Sequence, residues 1–226
     1  MMGKTPRSRL LEGLNAEELR VILRAAREQR LPAKSVVMDQ AQLANKLFLV
    51  THGRARFFLI TRDGQRILLR WLVPGDVAGV RAMFLKPQHY HVSTETLKES
   101  RVLAWDRKTL WQLTTRYPRL LRNAIYIADD YLEWFVTAHT ALTCFTVRQR
   151  CASVLKSAAM TIGEKVEGGI EVELTNEDLA DASATTLFEA SRFISDWRRS
   201  GLILKKRGKI LVRSMSLLTR EITKRR

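Results

Sequence analysis

Only two of the 226 residues are cysteine, Cys144 and Cys151. Two thiols seven positions apart make no disulfide framework. They are also too few for an iron–sulfur cluster, which usually takes four ligands. Long apolar runs are missing too: none approaches the ~20 residues of a membrane helix. The N-terminal run MMGKTPRSRLLEG has charges but not the apolar stretch of a secretory signal. A cytoplasmic protein without membrane association is expected. Acidic residues are scarce, 23 Asp and Glu against 39 Lys and Arg, which leaves a net charge of +16. That excess favours a polyanionic partner (DNA, RNA or an anionic membrane surface) without choosing among them. No glycine-rich phosphate loop, metal-ligand cluster or Ser/His/Asp arrangement stands out, so an enzyme is not expected. Hydrophobic residues make up 46% of the chain, enough for a core and against global disorder. The length allows one large or two modest domains.

The texture changes along the chain. Ala16 to Arg30 reads as a helix, with Leu19, Ile22, Leu23 and Ala26 at helical spacing and Pro32 beyond its end. From Val36 to Asp106, short apolar runs alternate with turn residues. Leu47–Val50, Arg56–Thr61, Ile67–Val73, His91–Thr96 and Arg101–Trp105 read as strands, with Asp63-Gly64 as a hairpin turn. Strands this short and even suggest a β-sandwich or a closed barrel. From Pro118 the pattern is helical. Leu121, Ala124, Ala128, Tyr131, Phe135, Ala138 and Leu142 are spaced 3, 4, 3, 4, 3, 4, a heptad seam. The seam fits either a homodimer contact or packing on the chain's own barrel. Polar Asn123, Asp129, Asp130 and Glu133 elsewhere on the helix favour the dimer. The Thr143–Val147 stretch interrupts the seam, placing a hinge near Thr143–Phe145 and a helix from Val147 to Met160 capped by Thr146. These breaks divide the chain into a barrel (1–117), a dimerisation helix (118–143) and a C-terminal domain (144–226).

The C-terminal domain is the most informative. Thr175 and Asp178 have the spacing of a capping box at a helix start, and Ile170–Leu174 before them alternates like a strand. Ser183-Ala184 supplies a tight turn. Thr185 or Thr186 caps a second helix through Arg199, with Phe193, Ile194 and Trp197 on its buried face and Gly201 as its stop. Leu202–Leu204 and Ile210–Val212 then flank a basic tip containing Lys205, Lys206, Arg207 and Lys209. Helix, turn, helix and hairpin make a winged helix-turn-helix, whose second helix can enter the major groove of double-stranded DNA while the wing reaches phosphates. From Arg192 to Arg226 there are twelve Lys or Arg against two acids, so binding should depend steeply on salt.

The run TNEDLADASATTLFEASRFISDWRRSGLILKKRGKILV resembles the DNA-binding unit of the Crp/Fnr family of transcription regulators. The likeness rests on Thr175, Asp178, Leu179 and Ala180 at the opening, on Ser191-Arg192, and on Gly201-Leu202-Ile203 before the wing. Upstream, LFLVTHGRARFFLITRDGQRILLRWLVPGDVAG is similar to the family's cyclic-nucleotide-binding-like barrel. The resemblance covers roughly Leu14 to Val212. It implies an α+β chain with an N-terminal β jelly-roll barrel (double-stranded β-helix), a long dimerisation helix and a C-terminal winged helix-turn-helix. It also implies a homodimer on a palindromic site, with RNA polymerase as a further partner. Thr175, Thr186, Leu187, Phe188, Ser191 and Arg192 then face DNA. Arg192 can hold guanine bidentately or clamp a phosphate. Many relatives have a cytosine-reading glutamate where Phe188 stands, and Phe188 can contact a thymine methyl instead. Glu189 is expected to face solvent or a neighbouring basic side chain.

The same resemblance argues against cyclic AMP. Its sensors carry Gly-Glu-x-x-x-Phe and a downstream Arg-Ser pair. Here Val80 stands at the glutamate position within Gly79–Phe84, and Tyr90-His91 replaces Arg-Ser. Phe135 and Val136 replace the hydroxyl residues that meet the base. Val80, Arg81, Met83, Tyr90, His91, Tyr131, Phe135 and Val136 either line a pocket for another small effector or close the barrel. Haem or a metal on His52, His89, His91 or His139 is a weaker expectation, and no cofactor is assigned. Cys144 at the hinge is either an oxidation sensor or a small apolar filler.

Overall fold

The computed structural model describes residues 6–86 and 88–224. The first five residues of the N-terminal run and Arg225-Arg226 of the basic tail lie outside the described residues. In chain order the elements are α1 (Ala16–Arg24), β1 (Arg27–Leu31), β2 (Val36–Met38), β3 (Lys46–His52), β4 (Ala55–Ile60), β5 (Arg66–Leu72), β6 (Val77–Ala78), β7 (Ser93–Thr96) and β8 (Ser100–Asp106). Next come α2 (Arg107–Arg116), α3 (Pro118–Cys144), α4 (Val147–Ile162), β9 (Glu164–Val166), β10 (Gly169–Glu173), α5 (Asn176–Ala182), α6 (Leu187–Arg199), β11 (Ile203–Lys206), β12 (Lys209–Val212) and α7 (Met215–Thr223). The chain forms two compact units. One holds the residues up to Ile60 and Leu72–Trp134, and the other holds Thr61–Trp71 and everything from Phe135. The division falls inside α3.

In the first unit, one sheet runs β1-β8-β3-β6 and a second contains β2-β7-β4. Leu47, Leu49, Leu103 and Trp105 are fully or almost fully buried, and Trp105 Nε1 donates to the Ile22 carbonyl at 2.8 Å, pinning α1 to the barrel. Strand β7 is buried throughout although its residues are polar, and most of its groups are satisfied. Ser93 accepts from Gln40 N–H, Thr96 donates to the Pro32 carbonyl at 2.6 Å, and Glu95 pairs with Arg56 at 2.6 Å. Gly79 sits at φ +82°, and a Cβ there would fall 2.5 Å from the Lys46 carbonyl, so the turn into the Val80–Met83 3-10 helix needs glycine.

The expected helix from Ala16 to Arg30 is two elements. α1 stops at Arg24, and Arg27–Leu31 pairs antiparallel with β8, Arg27 opposite Ala104. That strand has no apolar alternation because it lies at a sheet edge, so its partner and not its own pattern makes it a strand. The strands β2, β6 and β9, two or three residues each, are too short to show a period, whereas α2 and α7 begin at N-caps, Asp106 accepting from Thr109 N–H and Ser214 from Leu217 N–H. At the other breaks, α3 continues through Cys144 and the next helix starts at Val147. Thr146 closes a capping box with Gln149 there.

Helix α3, 27 residues and about 40 Å long, packs one face on its own unit. Leu120, Asn123, Ala124 and Ile127 are buried. Asn123 donates to the Leu10 and Glu12 carbonyls, both at 2.9 Å, and Tyr131 donates to the Val77 carbonyl while meeting Phe57 edge-on at 5.8 Å. Ala124 and Tyr131, placed in the seam by their spacing, therefore face the chain's own barrel. The exposed apolar row is Leu121, Ile125, Leu132, Phe135 and Leu142, with half-buried Ala128 and exposed His139 completing the same 4, 3, 4, 3, 4, 3 period. Ala138 is half-buried, outside this row.

The second unit is built on α4, α5, α6 and α7 with the sheet β11-β12-β10-β9. Its core holds Leu155, Leu179, Phe193, Ile194, Trp197, Ile210 and Leu218. The Thr61–Gln65 turn ahead of β5 also belongs here, closed by Thr61 N–H on the Gln65 carbonyl at 2.9 Å.

Candidate nucleic-acid interface

Capping fixes where the two helices of the helix-turn-helix begin. Thr175 accepts from Asp178 N–H at 3.0 Å, while Asp178 accepts from Thr175 N–H at 3.2 Å and from its hydroxyl at 2.8 Å. A reciprocal cap of this kind stabilises a helix by about 1 kcal/mol. Thr186 caps α6, accepting from Glu189 N–H at 3.2 Å. Both threonine hydroxyls are thus engaged in caps. Between the helices, Ser183 is buried and Ala184 turns the chain at φ +48°.

Helix α6 divides cleanly. Ala190, Phe193, Ile194 and Trp197 are buried, whereas Leu187 (48% exposed), Phe188 (75% exposed), Arg192, Ser195, Arg198 and Arg199 are open to solvent and Ser191 is half-buried. Ser191 Oγ accepts from Asn176 Nδ2 at 2.9 Å, which leaves its hydrogen free to donate. The Arg192 guanidinium lies 5.1 Å from the centre of the Phe193 ring. Glu189 is half-buried, and its direct partners are two hydroxyls, with the Arg192 charge a lesser influence. It takes hydrogen bonds from the Thr185 hydroxyl at 2.6 Å and the Thr186 hydroxyl at 3.3 Å, and the Thr185 bond leads in holding its carboxyl below the ordinary value. Two short hydroxyl donors beside it capture the carboxylate. Ser195 extends the open face one turn further and Arg199 two; steps of four from Ser191 and of seven from Arg192 find them. Asn176, which orients Ser191 from the other helix, has no such signal because the contact is tertiary.

The wing is less uniformly cationic toward solvent than its sequence. Glu171 bonds Lys209 at 2.6 Å and Lys206 at 3.3 Å, and these two lysines hold its carboxyl below the usual range. Lys205 is half-buried with Nζ 3.4 Å from the Leu174 carbonyl, and burial lowers its pKa. Arg207, exposed at the hairpin tip, is the wing cation best placed for a phosphate.

Of the residues expected around an effector, Val80, Arg81, Met83, Tyr90, His91 and Tyr131 belong to the first unit, and Phe135 and Val136 to the second. Val80, Met83 and Tyr90 are packed in the first unit, and His91 is exposed. Arg81 donates to the His89 carbonyl at 2.8 Å and to Gln88 at 3.1 Å. The Tyr90 hydroxyl donates to the Lys46 carbonyl at 2.8 Å and accepts from Lys46 N–H at 3.0 Å. Phe135 and Val136 are 60% and 55% exposed. An open cleft of about 490 Å³ in the first unit is lined by Tyr90 with Gln29, Met38, Gln42, Asn45, Lys46 and Phe48, a set the sequence did not indicate. All four histidines are exposed, and among the described residues no three His, Cys, Asp or Glu side chains converge on a metal site. No helix of the described residues is long and apolar enough to cross a membrane.

Comparison with known proteins gives the same division of labour. Residues 28–117 match the cyclic nucleotide-binding domain, and residues 149–221 match the Crp-like helix-turn-helix domain. The transcriptional regulator LdrP of Thermus thermophilus is 27% identical over 200 residues, covering 85% of this chain and 95% of its own. A CooA mutant of Carboxydothermus hydrogenoformans superposes with a TM-score of 0.74 at 26% identity, covering 96% of each chain. The global regulator CLP of Xanthomonas campestris shares the fold, with a TM-score of 0.78 at 16% identity over 88% of this chain and all of the other.

Proposed function

We propose, for a chain that belongs to the Crp/Fnr family of DNA-binding transcription regulators, that it works in the cytoplasm as a homodimer on a palindromic site. The observation that carries the reading is α6, whose solvent face offers Phe188, Ser191 and Arg192 together while its opposite face is sealed in the core. An α-helix fits the major groove, and this face supplies an apolar contact for a thymine methyl, a hydroxyl donor and a guanidinium for guanine. The exposed row on α3 supplies the dimer contact. A two-fold axis along that row repeats the same patch on both chains and gives two copies of α6, which suits half-sites about one DNA turn apart. RNA polymerase is the partner through which the bound dimer acts on transcription.

Cyclic AMP is not the effector in this reading. Tyr90 stands where the family's sensors have the phosphate-neutralising arginine, its hydroxyl is tied to Lys46 at both donor and acceptor, and Arg81 is committed to Gln88 and His89. The close packing of Val80 and Met83 supports a regulator competent without a ligand, and the cleft beside Tyr90 is the place for a small molecule in the second reading. No iron–sulfur cluster is part of this reading, because the chain has two cysteines where such a cluster usually takes four ligands.

The test is a gel shift with a DNA fragment flanking the protein's own gene, with and without cyclic AMP. Wild type is expected to shift it equally in both, and competitor DNA of unrelated sequence should not displace it at equal mass. A shift that needs cyclic AMP would overturn the barrel assignment; a shift abolished by the unrelated competitor at equal mass would overturn sequence-specific recognition.

A further inference from the structure

Arg150 lies near the start of α4, and its guanidinium serves three backbone carbonyls at once. Nε donates to the Ser183 carbonyl at 2.8 Å, and one terminal nitrogen donates to the Ala184 carbonyl at 3.0 Å. The other terminal nitrogen reaches the Phe145 carbonyl at 3.3 Å. Phe145 sits at the junction between α3 and α4, while Ser183 and Ala184 make the turn between α5 and α6. One planar fork therefore joins the α3–α4 junction to the α5–α6 turn, which are far apart in sequence. A lysine ammonium could not hold three carbonyls in those fixed directions.

The Ser183 carbonyl has reason to need a donor, and Ala184, although exposed, has reason to need its backbone held. Ser183 is 1% exposed, so its backbone oxygen is largely cut off from water. Ala184 adopts φ +48°, a left-handed conformation that a residue with a Cβ avoids unless its surroundings impose it. The cap of α6, Thr186, follows two residues later, so the geometry of this turn sets the direction in which α6 leaves α5. Arg150 is half-buried and spends its donors on backbone, which separates it from the exposed cations available to phosphates.

We infer that Arg150 is a positioning residue for DNA recognition. It locks the turn before α6 to the end of α3, so that Ser191 and Arg192 are presented to base edges at one fixed angle. The inference rests on the reading of α6 as the base-reading helix.

The experiment uses the full chain and two duplexes of equal length, one selected by the wild type from a random pool and one unrelated. Arg150→Gln is expected to weaken binding to the selected duplex about tenfold or more, the scale of a lost charge-assisted network. Binding to the unrelated duplex should stay within about twofold, and the slope of log affinity against log salt should not change. Arg150→Lys, which keeps the charge but not the fork, should fall between. A slope reduced by about 0.9 would make Arg150 a phosphate contact and overturn the inference. So would equal losses on both duplexes, or no loss on either. If Arg150→Gln loses its cooperative melting transition, the folded Arg150→Lys variant decides: a selective loss supports the inference and wild-type selectivity overturns it. A wild type that cannot tell the two duplexes apart would instead sink the assignment of α6, which keeps the two failures distinct.

Discussion

In the proposed reading Arg192 and Phe188 divide the base contacts at the level of single side chains. Arg192→Ala should weaken binding to a selected duplex by about 1–3 kcal/mol, the value of a bidentate base contact. Weak binding to unrelated DNA should survive. Fluorescence anisotropy on both duplexes checks this, and wild-type affinity for the selected one would remove Arg192 from the readers. Phe188→Glu should move the preference at one position of each half-site from thymine toward cytosine, because a carboxylate accepts from cytosine N4 and cannot pack on a methyl. A pooled selection with the variant reads this directly; an unchanged preference there means that Phe188 does not touch a base. Glu221 gives a pH prediction. Burial pushes its carboxyl up, but hydrogen bonds from Arg148 (2.6 Å) and Trp197 (3.1 Å), with the Arg148 charge, outweigh it and leave the pKa below 4.5. A folded pKa below the unfolded one gives stability that is fully present above pH 4.5 and is lost as pH falls through the folded value. Acid unfolding followed by Trp fluorescence should therefore flatten in Glu221→Gln; a variant with the wild-type acid profile contradicts this. At this scale the sequence is legible where partners are close by. Thr175 and Asp178 are three residues apart and cap each other as their spacing predicts. The capture of Glu189 by Thr185 and Thr186 is also local, yet it goes unread because a helix-surface glutamate has many cheap alternatives.

Among the elements, α3 best separates pattern from placement. Two heptad rows share Leu121, Ala128, Phe135 and Leu142, and they differ in whether 124, 131 and 138 or 125, 132 and 139 complete them. Hydrophobic character does not decide, since Ala124 and Tyr131 are as apolar as a seam requires. The barrel decides, by taking Ala124 and the Tyr131 ring for itself. Leu132→Glu should accordingly dissociate the dimer at micromolar concentration, each leucine having contributed about 1.5–3 kcal/mol on burial. Tyr131→Phe should leave the dimer intact and lower only the stability of the barrel. Sedimentation velocity with thermal melts distinguishes them, and the reverse pattern would restore the other row. Edge strand β1 escaped for a related reason: REQRL has no period-2 signal, and its β identity comes from pairing with β8. The helix-turn-helix, by contrast, was almost fully readable, because caps, a turn and a buried stripe all lie within Thr175–Gly201.

On the scale of the whole molecule, the two units do different jobs with different legibility. The barrel's outline follows from its turns and strands, but which side chains share a cleft depends on strand order, so that the cleft lined by Tyr90 also takes Gln29, Met38 and Gln42, which no local pattern marks. Charge is a global property and reads off at once. The second unit's exposed cations should give a log affinity that falls linearly with log salt, about 0.9 per phosphate neutralised, and Arg207→Ala should lessen that slope by about one phosphate without changing base preference. The most direct measurement is selection of duplexes from a random pool by the wild-type chain and by Arg192→Ala, followed by sequencing. An inverted repeat with half-sites about one helical turn apart is predicted, with one position in each half becoming degenerate in the variant. Pools that enrich no repeat, or identical repeats from both proteins, would contradict it.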